Sequence, residues 1–146
     1  MSAIGPTAAE VGAAIPELVR EPTSTSLFAF SAATWNTHRI HYDAAYAREE
    51  GYPDMLVQSH LHACFLAQAV AAAFGPGARL VGLGWRNRAI AVPGDRLTVS
   101  GRVAEVREGE GGLELEVELE EHNQRGELCV SGRASVALAE ESDAQR

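Results

Sequence analysis

From Leu113 to Glu120 the chain reads Leu-Glu-Leu-Glu-Val-Glu-Leu-Glu, a strict alternation of aliphatic and acidic side chains. A helix would scatter both types around its axis, whereas a strand sends them to opposite faces. Such a strand belongs in an antiparallel sheet with one side packed on a core and the other in water, and its solvated acidic face accounts for much of the negative charge without any function. Arg79 to Val92, Arg96 to Arg107 and Leu128 to Ala139 read as further strands. They are separated by Pro93-Gly94-Asp95, by Gly109-Glu110-Gly111-Gly112 and by Asn123-Gln124-Arg125-Gly126. Turns this short join antiparallel neighbours, so a four-strand meander is expected.

Ahead of the meander the period changes. Leu61, Phe65, Ala69, Ala72 and Ala73 recur near helical spacing in the almost uncharged stretch Ser59 to Phe74, and Gly75-Pro76-Gly77 follows as a stop signal. The helix expected there is buried on most sides, and its small alanines let a curved sheet approach closely. Earlier, Ser26 to Ala33 reads as a strand around Leu27-Phe28-Ala29-Phe30. Asp43 is an N-cap for a short helix from Ala44, which Gly51-Tyr52-Pro53-Asp54 ends. Met1 to Thr25, broken by Pro16 and Pro22, is expected to be an arm with a helical turn near Ala8 to Val11, and Glu140 to Arg146 a frayed tail. The expected organisation is an arm over 1–25, one α+β domain over 26–139 and a flexible tail over 140–146.

The 146 residues suffice for one core without a structural metal or disulfide. A net charge of -8 disfavours nucleic acid and anionic membrane as partners. The first residues lack the pattern of a secretory signal and no apolar run reaches spanning length, so a cytoplasmic protein is expected. Cys64 and Cys129 show neither metal nor redox spacing and are expected to be buried free thiols.

One loop is far denser in chemistry than the rest. Thr34-Trp35-Asn36-Thr37-His38-Arg39-Ile40-His41-Tyr42-Asp43 gathers two imidazoles, an amide, a guanidinium and a carboxylate between two ordered elements. It resembles the signature loop of the MaoC-like dehydratases and hydratases of the hot-dog superfamily, in particular the subgroup reading Asn-x-His-Arg-Ile-His-Tyr-Asp. Trp85-Arg86-Asn87-Arg88 and the turn Pro93-Gly94-Asp95 resemble the middle strand and turn of the same family. The resemblance extends over about Pro16 to Ala139. It implies a hot-dog fold, a curved antiparallel sheet wrapped around a central helix, and a homodimer. It also implies an (R)-specific enoyl-thioester hydratase or 3-hydroxyacyl-thioester dehydratase acting on a coenzyme A or acyl-carrier thioester, with no cofactor.

In the larger family this loop reads Asp-x-Asn-Pro-x-His, and the Asp and His together activate a water. With His41 placed on that histidine, Asn36 falls on the aspartate position, His38 on the asparagine and Arg39 on the proline. His41 is then the candidate base, against a loop histidine tied to a backbone carbonyl. Asn36, an amide that cannot take a proton near neutral pH, either positions water or forms an Asx turn. His38 and Arg39 either complete the site or fix the loop; Tyr42 is assigned to packing. At the start of the long helix the family carries a glycine-containing run such as His-Gly-Pro-Leu, where this chain has Gln58-Ser59-His60-Leu61. Free amides there could stabilise an enolate, with Ser59 as cap, while His60 and His62 are ligand contacts, replacement acids or solvent-facing groups. Arg86 and Arg88 are either ligands for the phosphates of a coenzyme A arm or surface cations. The histidine spacings do not make a convincing metal site. A thioesterase, which would want a carboxylate on or near the helix, and a non-catalytic ligand-binding or partner subunit remain as alternatives.

Overall fold

A computed structural model describes residues 7–139. Residues 1–6 of the expected arm and the whole of the expected tail lie outside the described residues. The elements in order are β1 (Leu18–Arg20), α1 (Ser24–Thr34), a 3₁₀ turn (Arg39–His41), α2 (Ala44–Glu49), α3 (Ser59–Phe74), β2 (Ala78–Asn87), β3 (Leu97–Gly109), β4 (Gly112–His122) and β5 (Leu128–Ala139). The five strands form one antiparallel sheet in the order β1-β3-β4-β5-β2.

Alternation along β4 does what its sequence demands. Leu115, Val117 and Leu119 are buried, while Glu114, Glu116 and Glu118 lie on the outer face, where they meet Arg107, Arg133 and Arg102 respectively. The inner face packs on α3. That helix touches both edge strands, β1 and β2, together with β3 and β5. A straight rod meets both margins of a sheet only if the sheet curls around it, which is the hot-dog plan. Leu66, Ala69, Val70 and Ala73 of α3 face Val103, Val117, Ala134 and Val136 in the common core. At Gly132 an added Cβ would stand 2.8 Å from Leu66 Cδ1, so bare backbone lets the rod settle against β5.

Four expectations about elements need correction. The stretch read as a strand over Ser26–Ala33 is helix α1, opened by a capping box in which Thr23 accepts from the Ser26 amide. Leu27 and Ser31, one helical turn apart, are its buried residues, so tertiary packing selects a 3.6 period that the short apolar run did not display. Part of the segment expected as an arm joins the sheet: its 3-residue strand β1 pairs with β3, and Ala14 bridges to Arg102. Near Ala8–Val11 the chain makes a turn, not a helical segment. Finally, β2 ends at Asn87 instead of Val92 and pairs with β5, not β3, so only β3, β4 and β5 form a meander. The chain from Arg88 onward crosses the mouth of the curled sheet, and there Ala91 accepts a hydrogen bond from the Val57 amide. The Asp95 carboxylate pins the following turn, accepting from the Val92 amide and from Gln124.

Cys129 is buried, whereas Cys64 is exposed on α3, contrary to expectation. No helix of the described residues is long and apolar enough to cross a membrane.

Candidate active site

Helix α1 ends at Trp35, held in the left-handed region at φ 56. This bend turns the chain into the polar loop, and most of the loop's polar groups then satisfy one another. Asn36 Oδ1 accepts from the His38 amide at 3.3 Å, His38 Nδ1 from the Ile40 amide at 3.3 Å, and Tyr42 donates its hydroxyl to Thr37 O at 2.8 Å. Arg39 donates to Asp43 at 2.6 Å and lies 4.4 Å over the Tyr46 ring. Asp43 also caps α2 by accepting from the Tyr46 amide at 3.1 Å. The Arg39 hydrogen bond, helped by that amide, holds Asp43 below the usual carboxylate range.

His41 is different. Its Nδ1 stands 2.8 Å from the carbonyl oxygen of Leu56. A carbonyl can only accept, so Nδ1 carries the hydrogen and the neutral ring keeps its lone pair on Nε2. Half-burial of the ring pushes its pKa below the ordinary 6.5; the carbonyl bond opposes this and nearby His38 adds to it. The result is a neutral imidazole near physiological pH.

His41 lines a cleft of about 350 Å³ together with Asn36, Ser59, His60, His62 and Arg88; Ile40, Leu56, Val57 and Ala89–Ala91 form its apolar wall. The start of α3 forms part of this lining. Gln58 is its N-cap residue, but the Gln58 side chain does not cap: it runs back to α1, donating to Leu27 O at 2.7 Å and to Ser31 Oγ at 2.9 Å. Ser59, expected to cap, is instead the first helical residue. Its hydroxyl accepts from Trp85 Nε1 at 2.9 Å and meets Asn87 Oδ1 at 3.3 Å. The backbone amides of Ser59 and His60 find no acceptor among the described residues, as the first turn of a helix requires. His60 sits edge-on to Trp85 with ring centroids 5.4 Å apart.

Not all the residues singled out by sequence converge here. His38 and Arg39 do not line the cleft; their contacts fix the loop. Leu61 belongs to the core. Arg86 is exposed on β2 away from the cleft, whereas Arg88, just past the strand, lines it and donates to Ser131 Oγ at 3.0 Å. The two arginines part because β2 ends at Asn87, between them. Among the described residues no group of three potential ligands is placed to hold a metal ion. His62 has a partner outside the candidate residues: buried Glu121 lies 2.5 Å from it. The alternation of β4, continued one step past Leu119, already places Glu121 on the inward face.

Residues 7–93 match the family described as hydroxyacyl-thioester dehydratase type 2. Over 69 residues the chain is 44% identical to mesaconyl-C(4)-CoA hydratase of Chloroflexus aurantiacus, an alignment covering 47% of this chain and 24% of that protein. The chain thus spans about a quarter of the curated relative it matches. Among solved structures, the R-hydratase PhaJ1 of Pseudomonas aeruginosa superposes with a TM-score of 0.81 at 26% identity, over 90% of this chain and 83% of that one. A chain of the ChsH1-ChsH2 complex of Mycobacterium tuberculosis gives 0.81 at 25% identity, over 88% and 98% respectively. With its curled sheet, its buried central helix and the match running through the polar loop and the start of α3, the chain belongs to the hydroxyacyl-thioester dehydratase type 2 family, within the MaoC-like hot-dog proteins.

Proposed function

We propose that this chain is a hydro-lyase that adds water to the double bond of an enoyl thioester, or removes it from a 3-hydroxyacyl thioester. The observation that carries the reading is His41: neutral, with its Nε2 lone pair free, on the wall of a cleft that also takes in the uncapped start of α3. In the hydration direction His41 takes a proton from water and the oxygen bonds to C3. The π electrons move through C2 toward the thioester carbonyl, where the free Ser59 and His60 amides stabilise the enolate until a proton is delivered to C2, which completes the addition of water. Asn36, on the same wall, holds the water by hydrogen bonding. Arg88 at the cleft suits the phosphate of a pantetheine-bearing carrier, and the apolar wall around Ile90 suits the acyl chain. The two arms of the experiment below separate coenzyme A from a carrier protein as the source of that phosphate.

The cleft is lined by no carboxylate among the described residues, which disfavours a thioesterase. A partner-subunit reading draws on the amide at Asn36 and on the similarity to a chain from a two-protein complex. For the assembly we propose a homodimer formed along β2.

Loss of the conjugated absorbance of crotonyl thioesters, on coenzyme A and on an acyl carrier, tests the activity. Turnover by the wild type that falls by about 10²- to 10⁴-fold in His41→Ala, with an unchanged circular dichroism spectrum, is expected. Equal turnover by the two proteins removes His41 from the chemistry. Binding of the thioester without turnover by the wild type favours the partner-subunit reading.

A further inference from the structure

His62 sits on the sheet-facing side of α3, in line with Phe65, Leu66 and Ala69 at helical spacing, and is only 3% exposed. Glu121 reaches it from β4 and is fully buried. Nδ1 and Oε1 are 2.5 Å apart, a separation that requires a proton between them. The other oxygen, Oε2, has no hydrogen-bond partner. Burying a carboxylate and an imidazole in an apolar core is costly, and a half-satisfied carboxylate more so; aliphatic residues of the same volume would serve the core at least as well. Glu121 does not reach the cleft, but His62 does. With Nδ1 engaged, Nε2 is the nitrogen that remains, and it makes no hydrogen bond among the described residues. Cys129, the neighbouring thiol that feels Glu121, is pushed up to about 11, chiefly by burial, and stays protonated.

We infer that His62, oriented and charge-balanced by Glu121, is a second proton-transferring residue of the cleft and works opposite His41. The inference rests on the hydration reading above and supplies what that reading lacks, because Asn36 cannot exchange a proton. In hydration, His41 takes the proton of water as the oxygen bonds to C3. The electron pair of the double bond collects at C2, and the Nε2–H of the His62 imidazolium, its charge matched by the Glu121 carboxylate, gives its proton to C2. The product gains one water, His41 ends protonated and His62 neutral, and solvent restores both. Elimination runs the same steps backward, with His62 taking the proton from C2 and His41 protonating the departing hydroxyl. Glu121 never touches substrate; it is a positioning residue that sets the tautomer and balances the charge.

The test is steady-state kinetics on crotonyl coenzyme A with wild type, His41→Ala, His62→Gln, Glu121→Gln and the double variant His62→Gln/Glu121→Gln, each checked by melting temperature. Expected are a kcat loss of about 100-fold or more in His62→Gln and about tenfold or more in Glu121→Gln, with KM held within about twofold. The double variant is expected to be no slower than His62→Gln, since the carboxylate acts only through the ring. Should a variant fail to fold, ¹⁵N-histidine spectra of the wild type decide: butyryl coenzyme A, which cannot react, is expected to shift the Nε2 signal of His62. Turnover that is lost in His41→Ala but retained within about threefold in His62→Gln overturns this inference alone, as does an Nε2 signal that ignores the ligand. A wild type with no hydration or dehydration activity overturns the parent reading and this one with it.

Discussion

Nε2 of His41 keeps its lone pair because the Leu56 carbonyl holds the hydrogen on the other ring nitrogen. Burial reinforces this by disfavouring the imidazolium, so the pKa lies below 6.5. A base that must be neutral stays competent until pH falls through that lowered value, and the acid limb of the kcat/KM profile is therefore expected below pH 6.5. The linkage has the same sign. The unfolded chain takes up its proton first, so the stability His41 contributes is complete above its unfolded pKa and is lost as pH falls through the folded one. At the rim, Arg88 lines the cleft and Arg86 does not. Arg88→Glu is expected to raise KM for a coenzyme A thioester about tenfold, the scale of one charged hydrogen bond, whereas Arg86→Glu changes it less than about twofold. Equal effects at both positions would contradict the placement of Arg86 outside the cleft.

The elements that hold these residues are set by caps as much as by apolar period. Asp43 fastens α2 through the Tyr46 amide and fastens the 3₁₀ turn through Arg39. Asp43→Ala is expected to cost about 1 kcal/mol, the usual value for a lost N-cap, seen as a melting temperature lower by several degrees. Because His41 rides on the same turn, kcat falls with it. An unaltered melting temperature would show that Arg39 and Tyr46 hold the loop alone. The cap at Asp43 and the helix Ser59–Phe74 stood plainly in the sequence, since a short polar residue before helix formers and a long Ala-rich run followed by Gly-Pro-Gly have few other solutions. Helix α1 did not stand out. Its Leu27-Phe28-Ala29-Phe30 core is too short for periodicity to separate strand from helix, and its capping box uses Ser26 where Glu or Gln is the familiar signal. Gln58 likewise sits at a cap position but spends its amide on α1, a contact between positions 31 apart that no local pattern announces.

For the whole molecule, the sheet order leaves β2 as a 10-residue edge strand with Leu80 and Val81 exposed. A long edge with apolar side chains is a site for pairing, and the outer face of β3, β4 and β5, covered by paired arginines and glutamates, is not. The homodimer proposed along β2 predicts a particle of two chains by light scattering, reduced to one by Val81→Lys; a wild-type monomer would refute it. The cleft depends on the same topology, because the chain leaving β2 must cross the mouth of the sheet to reach β3 and carries Arg88 and Ile90 over the start of α3. The sequence alone determined the class of fold, the identity of the central helix, the alternation of the sheet and the loop that bears His41, because periodicity, caps and turn residues act between neighbours in the chain. Only the tertiary structure decided that β2 pairs with β5, that Arg86 and Arg88 part company, and that a glutamate from β4 meets an imidazole from α3. Those outcomes follow from how a curled sheet closes on a helix, and contacts across such a closure bring together residues whose separation in the chain carries no signal.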